Sequence, residues 1–165
     1  MGETLTHVKS LTNPSYIGAW TLAVEEGVYS ELTVVVVKVV QTELTHKNVT
    51  KTKPVVHLKD QLPFVLNLIN RERLEVLFGS VFVERWPGRK FTLYVDTIRH
   101  RGKPTPALRV RETYPDFNPN NRHWDSTISA LKEGKTTTAA ILQNVSLTAE
   151  NRALIEAAEG SESII

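Results

Sequence analysis

Residues 32–44 read LTVVVVKVVQTEL, and this stretch decides the fold class. It holds eight β-branched residues between Thr33 and Thr42, a composition that favours an extended strand. Its nearly continuous apolar character predicts a strand that is buried on both faces for much of its length. The lysine-rich segment 45–53 is expected to be a polar connection, and the alternating PVVHLKD (54–60) predicts a returning strand. Together they predict a β-hairpin with a basic tip.

The next elements along the chain are a short strand, a helix and a second hairpin. FVLN (64–67) is expected to be the strand, and residues 68–79 carry apolar side chains at helical spacing with a glycine as stop. FTLYVDTIRH (91–100) predicts a strand, Gly102 to Pro106 a turn, and ALRVRE (107–112) the strand that pairs back. Short strands with a helix between the third and the fourth follow the order of an OB-fold. The expected class is therefore mainly β (α+β), a small OB-like Greek-key barrel with one inserted helix.

The sequence changes in character after residue 112. Residues 113–121 hold two prolines and are expected to be a linker, and residues 122–158 predict a small appendage of three short helices. Residues 159–165, EGSESII, predict a flexible acidic tip. The expected organisation is an OB-like β-barrel domain at 1–112, followed by the linker, the helical appendage and the tip.

The charge is distributed unevenly between these regions. Residues 1–112 hold 16 Lys/Arg and 11 Asp/Glu, whereas residues 113–165 hold 4 and 7, within a net charge of +2. A basic body with an acidic end indicates a polyanionic partner for the body. Counts this small also permit a distribution that arose by chance.

The cationic residues gather in the two predicted hairpins. If Leu108 and Val110 face inward, Arg109 and Arg111 share the other face, and Tyr94 of the paired strand lies near them. A ring on a basic sheet face is what a single-strand binder needs, since bases stack on the ring while cations track phosphates. The candidate nucleic-acid-binding residues are Lys47, Lys51, Lys53, Tyr94, Arg99, Arg101, Lys103, Arg109 and Arg111.

A structural interpretation stands beside the binding one. Exposed cations on strands also block edge-to-edge pairing and keep a protein soluble. Trp20 and Trp86 are stacking candidates, but large aromatic residues beside turns favour the core. Trp124 lies on an apolar helical stripe and is expected to pack.

Catalytic chemistry finds no support in the sequence, and no enzyme activity, cofactor or metal is expected. The chain has no cysteine, and its five histidines show no metal-binding spacing. No glycine-rich phosphate loop and no nucleophile elbow are present.

Several motifs carry a resemblance to a known family. They are NPSYIG at 13–18, LNLIN at 66–70, WPGRKFTLYV at 86–95 and ALRVR at 107–111. The series resembles a family of small, mostly uncharacterised bacteriophage and prophage proteins of replication and recombination modules. The resemblance implies a protein of the bacterial cytoplasm that binds single-stranded DNA during replication or recombination, without strong sequence preference.

Other partners are compatible with the same sequence. The alternative function is a non-catalytic protein-interaction module, either a phage adaptor or an inhibitor of a host protein. In that interpretation the C-terminal region contacts replication or recombination proteins, and the basic hairpins serve solubility. Edge strands of a small barrel would make a homodimer unsurprising. The longest apolar run, between Val34 and Val40, is too short to span a bilayer, so no membrane partner is expected.

Overall fold

A computed structural model describes residues 4–12 and 15–161 and divides the chain into two compact units, Met1–Glu112 and Thr113–Ile165. The first unit begins with helix α1 (Val8–Thr12), a 3₁₀ turn at Ala19–Leu22 and a two-stranded sheet of β1 (Ala23–Glu25) and β2 (Val28–Tyr29). A second, larger sheet follows.

Five antiparallel strands form this larger sheet, in the spatial order β5-β4-β3-β6-β7. Helix α2 (Leu68–Phe78) lies between β5 and β6 in the chain. The mainly β class is thereby confirmed, as are the inserted helix and the short strand before it. The sheet does not close into a barrel, because its edge strands β5 and β7 are not paired with each other along their described lengths. The strands are β3 (Leu32–His46), β4 (Val49–Leu58), β5 (Phe64–Val65), β6 (Lys90–His100) and β7 (Lys103–Val110).

A register shift divides the long strand β3 into two halves. Residues 32–35 pair with β6, and the pairing with β4 shifts between Val36, opposite Leu58, and Lys38, opposite His57. Because the shift inserts one residue, the core-facing positions change from even to odd numbers along β3. The prediction that β3 is buried on both faces is wrong, since Val37 and Val40 are 49% and 38% exposed. Beyond the shift, one face of β3 is turned to solvent.

Two-residue turns allow the hairpin strands to run further than predicted. Lys47 and Asn48 have φ of 48° and 63°, and Arg101 and Gly102 have φ of 51° and 76°. Turns with two left-handed residues match the right-handed twist of the flanking strands, so the ladders continue up to them. The predicted polar connection at 45–53 and the predicted turn at Gly102–Pro106 are therefore wrong, because both segments lie largely in strands. The prolines there are tolerated because β7 is an edge strand.

The core of the first unit lies between the sheet and α2. Trp86 is buried, its ring meets that of Phe78 edge-to-face at 5.4 Å, and its Nε1 donates to the carbonyl oxygen of Ser80 at 3.0 Å. The prediction that Trp86 is a core residue is confirmed. Phe91 and Leu93 of β6 and Leu74 of α2 are also almost completely buried.

Helix α2 covers part of the free edge of β7 through Asn70, which is 1% exposed. The Asn70 Nδ2 donates to the carbonyl oxygen of Leu108 at 2.9 Å, and the Val110 N–H donates to Asn70 Oδ1 at 3.0 Å. Arg73 Nη1 donates to the carbonyl oxygen of Val110 at 2.9 Å. A side-chain amide therefore takes the place that a neighbouring strand would have, and the buried backbone groups of β7 are satisfied.

The second unit contains α3 (Trp124–Lys132), α4 (Thr138–Leu142) and α5 (Ala149–Glu159). Its core includes Trp124, whose predicted packing role is confirmed, and Phe117, whose ring centroid is 5.2 Å from that of Trp124. Phe117 belongs to the segment that was expected to be a linker. Most of the predicted acidic tip, residues 162–165, lies outside the described residues. Across the described ranges, the helices are too short or too polar to cross a membrane.

Substituting Asn70 tests how much its edge contact contributes. Asn70→Ala leaves the partly buried carbonyl of Leu108 and the buried N–H of Val110 without partners, so we expect a loss of about 2–4 kcal/mol in the free energy of unfolding. Urea denaturation followed by circular dichroism measures the loss. Glu72→Ala, an exposed change on the same helix, is the control and is expected to stay within about 0.5 kcal/mol. Equal stability of the two variants would contradict this role of Asn70.

The end of α5 supplies a pH-dependent contact. The hydroxyl and the N–H of Thr138 both donate to the carboxylate of Glu159, and these hydrogen bonds lower the pKa of Glu159. A lowered pKa means that the contact stabilises the fold near neutral pH and that this contribution is lost as the pH falls and the carboxylate is protonated. We therefore expect Glu159→Gln to lower Tm at pH 7, with the difference from wild type shrinking towards pH 3. Thermal unfolding across this range measures it, and a difference independent of pH would contradict the assignment.

Candidate functional site

The nine residues predicted to bind nucleic acid fall into three groups in the structure. Lys47, Lys51 and Lys53 lie in the part of the β3–β4 hairpin that extends beyond the pairing with β5, residues 42–53, which we call the first arm. Arg99, Arg101 and Lys103 lie at the end of the β6–β7 hairpin, residues 96–107, which we call the second arm. Tyr94, Arg109 and Arg111 lie where the second arm joins the sheet.

The first arm collects its lysines on one face. Beyond the register shift, Lys51 lies opposite Leu44, and Lys53 lies opposite Thr42. Opposed residues in an antiparallel pair share a face, and so do residues two apart along a strand. Lys51 and Lys53 therefore project from the same side, with Lys47 at the turn. The single acidic residue of the arm, Glu43, lies opposite Thr52 and projects from the other side.

The same face carries a cation that the sequence reasoning missed. Lys38 is exposed and lies opposite His57, two residues from Val40 on the lysine-bearing side. In the sequence Lys38 interrupts a run of valines, and this interruption is the one local feature that could have identified it as an exposed cation. Its side follows from the register shift, which depends on the pairing of β3 with β4 and cannot be read from the run of valines.

The three cations of the second arm do not share one face. Arg99 lies opposite Pro104, on the side of the core residues Leu93 and Val110. Lys103 lies opposite His100, on the side of Tyr94 and Arg109. Arg101 lies in the turn. The cations of this arm therefore surround its tip instead of following one face.

The six cations of the two arms are exposed and have no acidic partner. Along the described chain, no carboxylate forms a salt bridge with any of them. Cations without an internal partner keep their full charge for an external anion. They are Lys47, Lys51, Lys53, Arg99, Arg101 and Lys103.

Tyr94 lies among arginines, as the sequence predicted, but one face of its ring is occupied. Tyr94 is directly opposite Arg109, and the guanidinium carbon of Arg111 lies 3.8 Å from the ring centroid. Arg111 also forms a salt bridge with Glu31, with Nε donating to Oε1 at 3.0 Å. The Tyr94 hydroxyl accepts a hydrogen bond from Arg73 Nη1 at 3.1 Å. A base could stack on this face of the ring only by displacing Arg111.

Arg109 is less available than expected. It is 8% exposed, although it lies on the side of the sheet opposite to the core. Its Nη1 donates to the carbonyl oxygen of Leu108 at 3.4 Å. Together with the occupied Tyr94 ring, this indicates that the group at the base of the second arm contributes to the structure of the sheet.

Two further expectations concern aromatic rings and metals. Trp20, for which a core position was favoured, is only half-buried and lines a surface depression with Lys9, Pro106 and Leu108. Across residues 4–12 and 15–161, no three His, Asp or Glu side chains come together as potential metal ligands.

Comparisons with protein-family models, with curated proteins and with solved structures found no match for this chain. The resemblance to bacteriophage proteins and the similarity to OB-fold proteins therefore stay predictions.

A double-mutant cycle tests the contact between Arg111 and Tyr94. We expect Tyr94→Leu and Arg111→Gln to show a coupling of about 0.5–1 kcal/mol in the free energy of unfolding, because each change removes the same cation–π contact. Denaturant titrations of the four proteins measure it. The control pairs Tyr94→Leu with Arg99→Gln, which lies on the other side of the arm and should behave additively. Coupling of equal size in both cycles would contradict the specific contact.

Proposed function

We propose that the protein binds single-stranded DNA, without strong sequence preference, through the lysine-bearing face of the first arm and the cationic tip of the second. The observation that carries the proposal is the set of unpaired cations on the arms, together with the alignment of Lys38, Lys51 and Lys53 on one face. We further propose that it acts in bacteriophage-type DNA replication or recombination, as the sequence resemblance implies.

The arrangement of the lysines favours a polyanion over a single small anion. Residues two apart on a strand are separated by about 6.8 Å, so Lys51 and Lys53 meet successive charges rather than one. Repulsion between the lysines opposes their alignment, and an anion with regularly repeated charges relieves it. Lysines that neutralise phosphates also release condensed counterions, which adds a favourable entropy.

The order of the strands supports an OB-like interpretation of the first unit. If β3 is the first strand of such a fold, the sheet order and the position of α2 follow the OB arrangement. The turns at Lys47–Asn48 and Arg101–Gly102 then stand at the loops between strands one and two and between strands four and five. These are the loops that bind oligonucleotides in OB-folds. In this proposal α2, through Asn70, covers the opening that strand pairing closes in a complete barrel.

The proposal assigns different roles to the nine residues predicted from sequence. The six arm cations contact phosphates, together with Lys38. Tyr94 and Arg111 hold each other at the sheet surface, and Arg109 is buried beside them. Backbone contacts of this kind position a strand without reading its sequence.

Charge reversal on the first arm tests the proposal. The variant Lys47→Glu, Lys51→Glu, Lys53→Glu should bind a labelled poly-dT of about thirty nucleotides more weakly than the wild type, as measured by fluorescence anisotropy at several salt concentrations. For the wild type, log K should fall with log salt by about 0.7 per phosphate contact, so three lost contacts reduce the slope by about 2. The matched control is Lys9→Glu, Arg85→Glu, Lys132→Glu, which changes the net charge equally at exposed positions outside the arms.

Two outcomes would reject the proposal. If the wild-type protein fails to bind poly-dT at low salt, the nucleic-acid function is wrong and the protein-interaction alternative takes its place. A two-stranded arm can also enter the major groove of a duplex, so a duplex of the same length is titrated in parallel. Tighter binding to the duplex would reject the preference for single strands.

A further inference from the structure

The tip of the first arm carries apolar and imidazole side chains on the same face as its lysines. Val49 lies opposite His46, and Leu44 lies opposite Lys51. Val49 is 55% exposed, His46 is exposed and Leu44 is half-buried. Because residues two apart along each strand share a side, Leu44 and His46 are neighbours on β3, and Val49 and Lys51 are neighbours on β4. The three side chains form one continuous surface, which we call the tip platform.

Cations border this platform. Leu44, His46 and Val49 line an open depression of about 500 Å³ together with Lys47, Lys51 and Lys53. Its surface is almost entirely apolar, since the lysines contribute the aliphatic parts of their side chains. None of the three lysines has a carboxylate partner within the described ranges. The depression therefore suits a ligand with a flat apolar group attached to an anionic chain.

Packing does not account for the exposed platform. Neither Leu44 nor Val49 belongs to the core of the first unit. A two-stranded ribbon is only marginally stable in water, and exposed apolar residues at its end gain little from folding. Polar β-branched residues would serve the ribbon equally well, as Thr45 and Thr50 do on the other face, where their hydroxyl oxygens are 2.8 Å apart.

We propose that the tip platform contacts unpaired bases, with the His46 imidazole stacking on a base and Leu44 and Val49 packing against its neighbour, while Lys47, Lys51 and Lys53 hold the adjoining phosphates. This inference rests on the proposed binding of single strands and identifies the residues that meet the bases. The predicted stacking ring, Tyr94, is covered by Arg111 on one face, whereas His46 is exposed. Stacking on a ring is tolerant of sequence because every base has a flat face.

An oligonucleotide without bases separates base contacts from phosphate contacts. The variant Leu44→Thr, His46→Thr, Val49→Thr removes the platform and keeps the lysines and the strand-forming character of the arm. We expect its affinity for poly-dT to fall about tenfold, with an unchanged salt dependence. Its affinity for an abasic strand of the same length should equal that of the wild type. The control Val24→Thr, Val28→Thr changes exposed valines of the smaller sheet and should leave both affinities unchanged.

A second variant keeps the test decisive if the triple threonine arm is unfolded. His46→Phe enlarges the stacking surface at one exposed position, so it should tighten binding to poly-dT and leave binding to the abasic strand unchanged.

The outcomes distinguish this inference from the proposed function. If the wild type and both variants bind poly-dT with the same affinity, the role of the tip platform is wrong, but the proposed binding of single strands is not. Equal losses on poly-dT and on the abasic strand would also overturn the role of the tip platform, because bases would then play no part. An apolar tip bordered by cations could also bind an anionic membrane. Vesicles of phosphatidylglycerol test this alternative. Vesicle binding that depends on the platform, with poly-dT binding unaffected, would assign the tip to lipid and overturn the inference.

Discussion

The one-residue register shift between Val36 and Lys38 is the constraint on which the rest of the first unit depends. Before the shift, Val34 and Val36 face the core, and residues 32–35 of β3 pair with β6. After it, the odd-numbered residues face inward, and residues 38–46 of β3 pair with β4. One strand thus serves two neighbours without a break in the chain. The shift also places Lys38 on the same side as Lys51 and Lys53, whose own side follows from the unbroken alternation of β4 from the core residues Val56 and Leu58.

An open sheet needs some means of satisfying its edges, and this fold does so with a side chain. The amide of Asn70 offers a donor and an acceptor to β7 in the way that a strand would. Arg73 extends the same contact and reaches the Tyr94 hydroxyl. Further along β7, Pro104 and Pro106 lack the N–H groups that would invite another strand. Helix α2 is thereby attached to the edge of the sheet, and the arms project from a framework with a fixed register.

Cations in this protein have two distinct environments. Arg73 and Arg111 are held by Glu112 and Glu31, and Arg109 is buried, so these arginines contribute to the sheet. The cations of the arms have no such partners among the described residues and are surrounded by solvent. Residue type does not separate these groups. A carboxylate within reach sets Arg73 and Arg111 apart, and burial sets Arg109 apart. Both features follow from the folded arrangement.

The sequence by itself determined the mainly β class, the helix at 68–79 and the strand at 91–100. These depend on β-branched composition, helical spacing and a glycine stop, all of which act over a few residues. It also placed Tyr94 beside the arginines, because alternation along paired strands is a local rule. Only the tertiary structure decided that Arg111 covers Tyr94, that Arg109 is buried and that Arg99 projects from the other side. It likewise revealed Lys38 and the open sheet. These features depend on register, on a bulge and on partners distant in the chain, such as Glu31 with Arg111, which no local pattern encodes.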